Sequence, residues 1–189
     1  MNILCIDTTT EYIVIALQKD EKSDFFISEK GCKKHNSIIL STIDEFLDKN
    51  GLKIGDIDVF GVSVGPGSFT GIRVGVATMN AFSLALNKKL VSVTTLELPV
   101  KKDKVMTLLD CKHDNFYCGI FDGGKEEYLA LNKSEIDAYP YEKIYMEGTY
   151  PKELLAKCLA KIEKGEYVSQ AKPFYVKKSS AEIETGIEC

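Results

Sequence analysis

The stretch Gly65-Pro66-Gly67-Ser68-Phe69-Thr70-Gly71 carries the sharpest chemical signal in the sequence. It follows an apolar run and precedes a helical one. Glycines there let backbone N–H groups approach a ligand closely, and a helix N-terminus favours an anion. Ser68 and Thr70 add hydroxyl donors. Arg73 falls in the first helical turn, where a cation opposes the helix dipole unless it meets an acid or a phosphate. Gly65, Gly67, Ser68, Thr70 and Gly71 are therefore candidate anion- or nucleotide-binding residues. A tight turn with Thr70 as helix N-cap explains the same letters. No Gly-Lys-Ser/Thr follows, so this is not a Walker loop.

Two aspartates extend the candidate site. Asp7 and Asp110 each close a short apolar strand, where a carboxylate could hold a metal-bound water near a phosphate. Each could equally cap its own turn. Thr8 stands ready for phosphate oxygens or for its own turn. His35 and His113 lie far apart, and neither has a second histidine at helical spacing, so no metal pair is expected. No Gly-x-Ser-x-Gly elbow occurs. Lys101, Lys102, Lys104 and Lys112 form a modest basic cluster, ordinarily a solvated loop, and one that could touch RNA inside an assembly. No catalytic residue is assigned, and no cofactor is expected.

The elements that must position these residues follow from periodicity. Ile3–Ile6 and Tyr12–Leu17 read as a β-hairpin with a hydroxyl-rich bend, and Phe25–Glu29 as a third strand. Ile39, Ile43, Phe46 and Leu47 define a helix over 36–50, stopped by Gly51. A strand at 57–64 leads into the glycine loop and a helix over 70–87. From Val74 to Asn87 that helix has no charged residue. Such a helix needs cover on most of its circumference, and it is too short for a bilayer. Strands at 88–93 and 105–109, a hairpin through 116–121, a strand at 143–146 and a helix over 151–164 complete the pattern. Residues 173–176 are apolar, and the tail 177–189 is polar. The pattern is that of an α/β protein with a boundary near 99/100, giving 1–99 and 100–189. Strand, Asp110, polar turn, strand repeats the opening around Asp7, which reads either as two related lobes or as two unrelated hairpins.

Bulk properties set the class. The chain has 189 residues, 44% hydrophobic and 28% charged, an ordinary globular mix. A net charge of −4 excludes a generally basic nucleic-acid binder. None of the six cysteines sits in a C-x-x-C pair. With no basic leader and no apolar run of membrane length, a cytoplasmic, non-membrane protein is the expectation.

Ile3-Leu4-Cys5-Ile6-Asp7-Thr8-Thr9-Thr10, together with Val62 through Gly75, resembles the TsaB family, once called YeaZ. Looser matches lie at His35, at Asp110 to Tyr117 and at Pro173-x-Tyr175. The resemblance implies an actin-like, Hsp70-like ATPase (ASKHA) fold of two related lobes, the second shortened. It implies a non-catalytic activator that pairs with a larger TsaD-like transferase, which carries the metal site, and with a TsaE-like ATPase. Together they place a threonylcarbamoyl group on the adenosine beside the anticodon of ANN-decoding tRNAs. The chain would meet tRNA only through that complex and would form a homodimer without its partners. The family is also described as a non-peptidase relative of a glycoprotease.

Departures from the pattern bear on nucleotide binding. Only His35 stands near the helix where TsaD-like enzymes carry two histidines. No glycine-rich adenosine segment follows Gly124. Lys112 and Lys177 replace the usual arginine, and Asn80-Ala81-Phe82 replaces a usual Lys-Gly-Leu. The helices 36–50 and 70–87 are expected to form the partner interface through Ile39, Ile43, Phe46, Leu47, Arg73, Val76, Met79, Asn80 and Phe82. The competing reading is a small stand-alone actin-like ATPase or kinase built on the Gly65 loop, Asp7 and Asp110.

Overall fold

The computed structural model describes residues 1–29 and 35–176, with residues 35–37 described by backbone alone. Cys32, Lys177, Cys189, the side chain of His35 and the tail 177–189 lie outside the described residues. The chain begins with β1 (Asn2–Asp7), β2 (Val14–Lys19) and β3 (Lys22–Ile27), an antiparallel meander. Helix α1 (His35–Lys49) crosses to β4 (Val59–Ser63), which pairs parallel to β1. Helix α2 (Phe69–Leu86) crosses to β5 (Lys89–Val93), parallel to β4. The resulting sheet has the order β3-β2-β1-β4-β5.

The second sheet repeats this plan. β6 (Val105–Asp110), β7 (Asn115–Asp122) and β8 (Lys125–Asn132) are antiparallel, and β9 (Glu142–Tyr145) pairs parallel to β6. The order β8-β7-β6-β9 matches β3-β2-β1-β4 strand for strand, without a fifth among the described residues. The crossover is also cut down: α3 (Lys133–Ile136) stands where the first lobe has α1. Two related lobes with the second shortened are therefore found as expected. Strand β8 is missed by the sequence reading, because Lys125-Glu126-Glu127 at its start looks like loop.

The first sheet is mixed, with two antiparallel and two parallel pairings, and its central strands β1, β2 and β4 are buried on both faces. Alternation along β1 sends Leu4 and Ile6 toward α1 and α2, and Ile3 and Cys5 toward the opposite side. That opposite side is covered by α4 (Pro151–Glu163), whose Leu154, Leu155 and Cys158 pack on Ile3, Cys5, Val14, Ala16 and Val59. The division at 99/100 is corrected here. The second sheet spans 105–145, while α4 and the segment after it return to the first. The reason is apolar area: β1, β2 and β4 present two hydrophobic faces, and α1 with α2 covers only one.

Helix α2 is long and apolar enough to meet the composition of a membrane span. Its Ile72, Val76 and Met79 are buried in the chain's own core. Asn87, in the left-handed region with φ 51°, terminates it. Ser68, not Thr70, is its N-cap: the Ser68 hydroxyl accepts from the Gly71 N–H at 3.3 Å.

Candidate functional site

The glycine loop meets the β1–β2 turn at the C-terminal ends of β1 and β4. Asp7 is only 3% exposed. Its Oδ1 accepts the Thr9 N–H at 2.8 Å, an Asx turn. Burial pushes its carboxyl above the usual carboxylate range, partly offset by the bonds from Thr9. Thr8 is fully buried and donates to the Gly71 carbonyl at 2.6 Å. The Ser68 N–H donates to the Thr9 carbonyl at 2.6 Å.

These contacts explain the glycines. A Cβ on Gly67, whose φ is 154°, would lie 2.2 Å from the Thr9 carbonyl oxygen, and one on Gly71 would lie 1.9 Å from that of Thr8. Gly75, part of the motif but not among the candidate residues, has the same reason: its Cβ would sit 2.3 Å from Thr8 Oγ1. Gly65 (φ 109°) precedes the cis Gly65–Pro66 bond and gives room to Ile72 and to the Phe174 carbonyl. The loop is thus brought against Thr8 and Thr9 as a packed joint. Thr70, one step beyond Ser68, is exposed at the start of α2.

Sequence reasoning missed the residues that complete this joint. Thr95 Oγ1 donates to Thr9 Oγ1 at 3.1 Å and lies 3.1 Å from Ser63 Oγ, while the Thr95 N–H donates to the Gly65 carbonyl at 2.8 Å. All three hydroxyl residues are buried. Nothing in the local sequence singles out Thr95. The β4–β5 pairing brings it there.

Asp110 is not gathered into the joint. It is exposed and forms the counterpart Asx turn, accepting the Lys112 N–H at 2.7 Å. Lys112, His113 and Asp114 follow with φ of 73°, 54° and 57°, an unusual run of left-handed non-glycine residues. Among the described residues no group of three or more His, Cys, Asp or Glu side chains could hold a metal ion. In the basic cluster, Lys101 pairs with Glu153 at 3.3 Å and Lys102 with Glu142 at 2.5 Å. The cavity of about 300 Å³ beside them carries both signs of charge, Lys125 and Lys157 against Asp122 and Glu126.

The expected interface residues need correction. Ile39, Ile43, Phe46, Leu47, Val76 and Met79 are all buried in the chain's own core. They are the large residues of their helices, and the sheet takes them. Phe82 is half-buried and stacks on Phe60, with ring centroids 5.7 Å apart. Asn80 holds the chain's own C-terminal segment: Nδ2 donates to the Ala171 carbonyl at 2.9 Å and Oδ1 accepts its N–H at 2.8 Å. Arg73 is exposed, lies 4.0 Å over the Phe69 ring and donates from Nε to the Tyr175 hydroxyl at 3.1 Å. The surface of α2 that faces outward is instead Thr70, Arg73, Ala77, Ala81, Leu84 and Ala85. Leu84 is 86% exposed, and Leu40 on α1 is 58% exposed. The signal was in the sequence: the alanines at 77, 81 and 85 recur every four residues, opposite the bulky stripe 72, 76 and 79.

Residues 26–139 match the family described as TsaD, tRNA N6-adenosine threonylcarbamoyltransferase. The chain is similar to tRNA threonylcarbamoyladenosine biosynthesis protein TsaB of Escherichia coli, 33% identical over 151 residues, covering 72% of this chain and 64% of the relative. TsaB of Buchnera aphidicola (Schizaphis graminum) is 29% identical over 149 residues, 70% of each. The chain thus spans about two thirds of the length of these relatives. A Pseudomonas aeruginosa protein described as similar to peptidase YeaZ shares the fold, with a TM-score of 0.76, 19% identity, and 93% of this chain and 99% of that one covered. The actin-like architecture, the TsaD-type match and the TsaB relatives agree: the chain belongs to the TsaB (YeaZ) family of tRNA threonylcarbamoyladenosine biosynthesis proteins.

Proposed function

We propose that this chain is a non-catalytic partner subunit in tRNA threonylcarbamoyladenosine formation. It docks on a TsaD-like transferase in the cytoplasm, works with a TsaE-like ATPase, and forms a homodimer when they are absent. The observation that carries this reading is the outer face of α2. Ala77, Ala81, Leu84 and Ala85 are exposed along a stretch with no charged residue, and Leu40 of α1 is exposed as well. Small residues let a second helix approach closely, and burying the apolar area contributes roughly 25 cal/mol per Å². The non-catalytic part of the reading has its own support. Gly67 and Gly71, which could have cradled a phosphate, are pressed against the Thr8 and Thr9 backbone.

The test is to mix the chain with its TsaD-like paralogue and read the mass by light scattering, with and without ATP–Mg. A stable heteromer, with no ATP turnover by this chain alone, is expected. Leu84→Glu should weaken it by roughly thirtyfold, the scale of an interface hot spot. No heteromer, together with ATP hydrolysis by the isolated chain, would make a stand-alone actin-like ATPase the better account.

A further inference from the structure

The segment joining the two sheets is a 3-10 turn, Thr95–Glu97, with Thr94 as N-cap and Leu98 after it. Actin-like proteins are two lobes about a cleft, so the mechanical character of this joint decides whether the chain can open and close. Leu96 is fully buried in the core of the second sheet, with Val105 and Phe121. Leu98, two residues on, is buried in the core of the first sheet, under α4 with Ile3 and Leu154. One turn thus drives a plug into each lobe. Gly119 on β7 makes room for the first plug: a Cβ there would lie 3.0 Å from Leu96 Cβ and 2.9 Å from Thr107 Oγ1.

Polar groups fix the same turn from three sides. Thr95 is bonded through both N–H and hydroxyl to the Gly65 carbonyl and to Thr9. Glu97 accepts the Thr94 N–H at 3.0 Å and pairs at 3.2 Å with Lys161 of α4, which also donates to the Ser92 carbonyl at 2.8 Å. From the second sheet, the Tyr128 hydroxyl lies 3.3 Å from Thr94 Oγ1. Its ring meets Phe174 edge-on at 5.0 Å, while the Phe174 N–H donates to the Val64 carbonyl of the first lobe. Rotating one lobe against the other must either withdraw Leu96 from the second sheet or tear the turn from the first, with Leu98 and the Glu97–Lys161 pair, whose carboxylate is buried. Separating such a pair leaves an uncompensated charge in the interior.

We propose that residues 94–98 are a latch that holds the two sheets at a fixed angle, so that the lobes move as one body whether or not nucleotide is present. The latch is read from the chain's own contacts. Only its consequence, a second sheet presented to the partner at one angle, rests on the partner-subunit reading.

Amide hydrogen exchange on the isolated chain tests it, since a hinge opens below the free energy of global unfolding and a latch does not. The amides of Thr94, Thr95, Glu97 and Leu98 should exchange within about tenfold of Phe60 and Val62 in β4, and ATP–Mg should leave that ratio unchanged. Faster exchange of the turn, or a ratio that changes with ATP–Mg, overturns the latch. Leu96→Ala should speed exchange in the turn by at least tenfold while β4 keeps its lead, and an unchanged ratio would also overturn it. Should Leu96→Ala fail to fold, Tyr128→Phe removes only the hydroxyl beside Thr94, and a rise in turn exchange relative to β4 is expected. No partner is present in these measurements, so their failure is distinct from failure of the partner-subunit reading.

Discussion

Asp7 and Gly71 show how differently two neighbouring motif residues act. Asp7 is a buried carboxylate whose bond from the Thr9 N–H does not offset its loss of water. Its folded pKa lies above the unfolded value, so the fold favours the protonated form. Its contribution to stability is most favourable below the unfolded pKa, near 4, and declines as pH rises through the raised folded pKa. Asp7→Asn keeps an acceptor for Thr9 and removes the charge. Thermal melts from pH 4 to 8 should show the variant gaining on the parent as pH rises. A variant that instead loses ground as pH rises would mean that the ionised carboxylate has a partner. Gly71→Ala acts through space alone. Its Cβ would meet the Thr8 carbonyl at 1.9 Å, and backbone cannot yield as a side-chain tip can. We expect a loss of about 3 kcal/mol or more in denaturant melts. The motif letters were legible from sequence, but their reason was not. Gly-Pro-Gly-Ser beside a helix reads as a phosphate cradle until Thr8 and Thr9, some sixty positions earlier, are placed against it.

At the scale of elements, α2 separates what sequence can and cannot say. Its length and its need for cover were plain from the absence of charge between Val74 and Asn87. Which face meets the sheet was marked only by side-chain size, alanine at 77, 81 and 85 against the bulky 72, 76 and 79, because a helix apolar all round has no polar side to mark the outside. The burial of Met79 and the exposure of Leu84 settle it. Met79→Ala should cost 2–5 kcal/mol of stability and leave any surviving folded protein able to associate. Leu84→Glu should change stability by no more than about 0.5 kcal/mol and weaken association. Paired melts and light scattering on both variants check the assignment of faces, and a reversed pattern would sink it. β8 was hidden for the opposite reason. Its charged first residues are exposed on an edge strand, where lysine and glutamate are at home and discourage further pairing.

For the whole molecule, the duplicated strand order was legible because Asp7 and Asp110 each close a first strand before an antiparallel partner. What sequence order concealed is that the lobes are not consecutive. Residues 151–163 lie on the first sheet and bury Leu154, Leu155 and Cys158 against it. Gly61 on β4 exists for this contact. A Cβ there would fall 2.6 Å from the Cys5 sulfur and 2.7 Å from that of Cys158, two thiols that meet across the gap. The Cys158 contact, and then burial, push the Cys5 thiol well above its usual range, which keeps it protonated and inert. The first lobe as a stretch of sequence, residues 1–99, therefore lacks cover for Ile3, Cys5, Val14 and Ala16. A sheet with one bare apolar face does not fold cooperatively. Residues 1–99 alone should give a broad thermal transition and bind hydrophobic dye. The same residues joined to 147–176 by a flexible linker should melt sharply, because α4 and its anchor at Ala171 are restored. A sharp transition from 1–99 alone would mean that α4 is dispensable to the first sheet, and the lobe would then end where the sequence places its boundary.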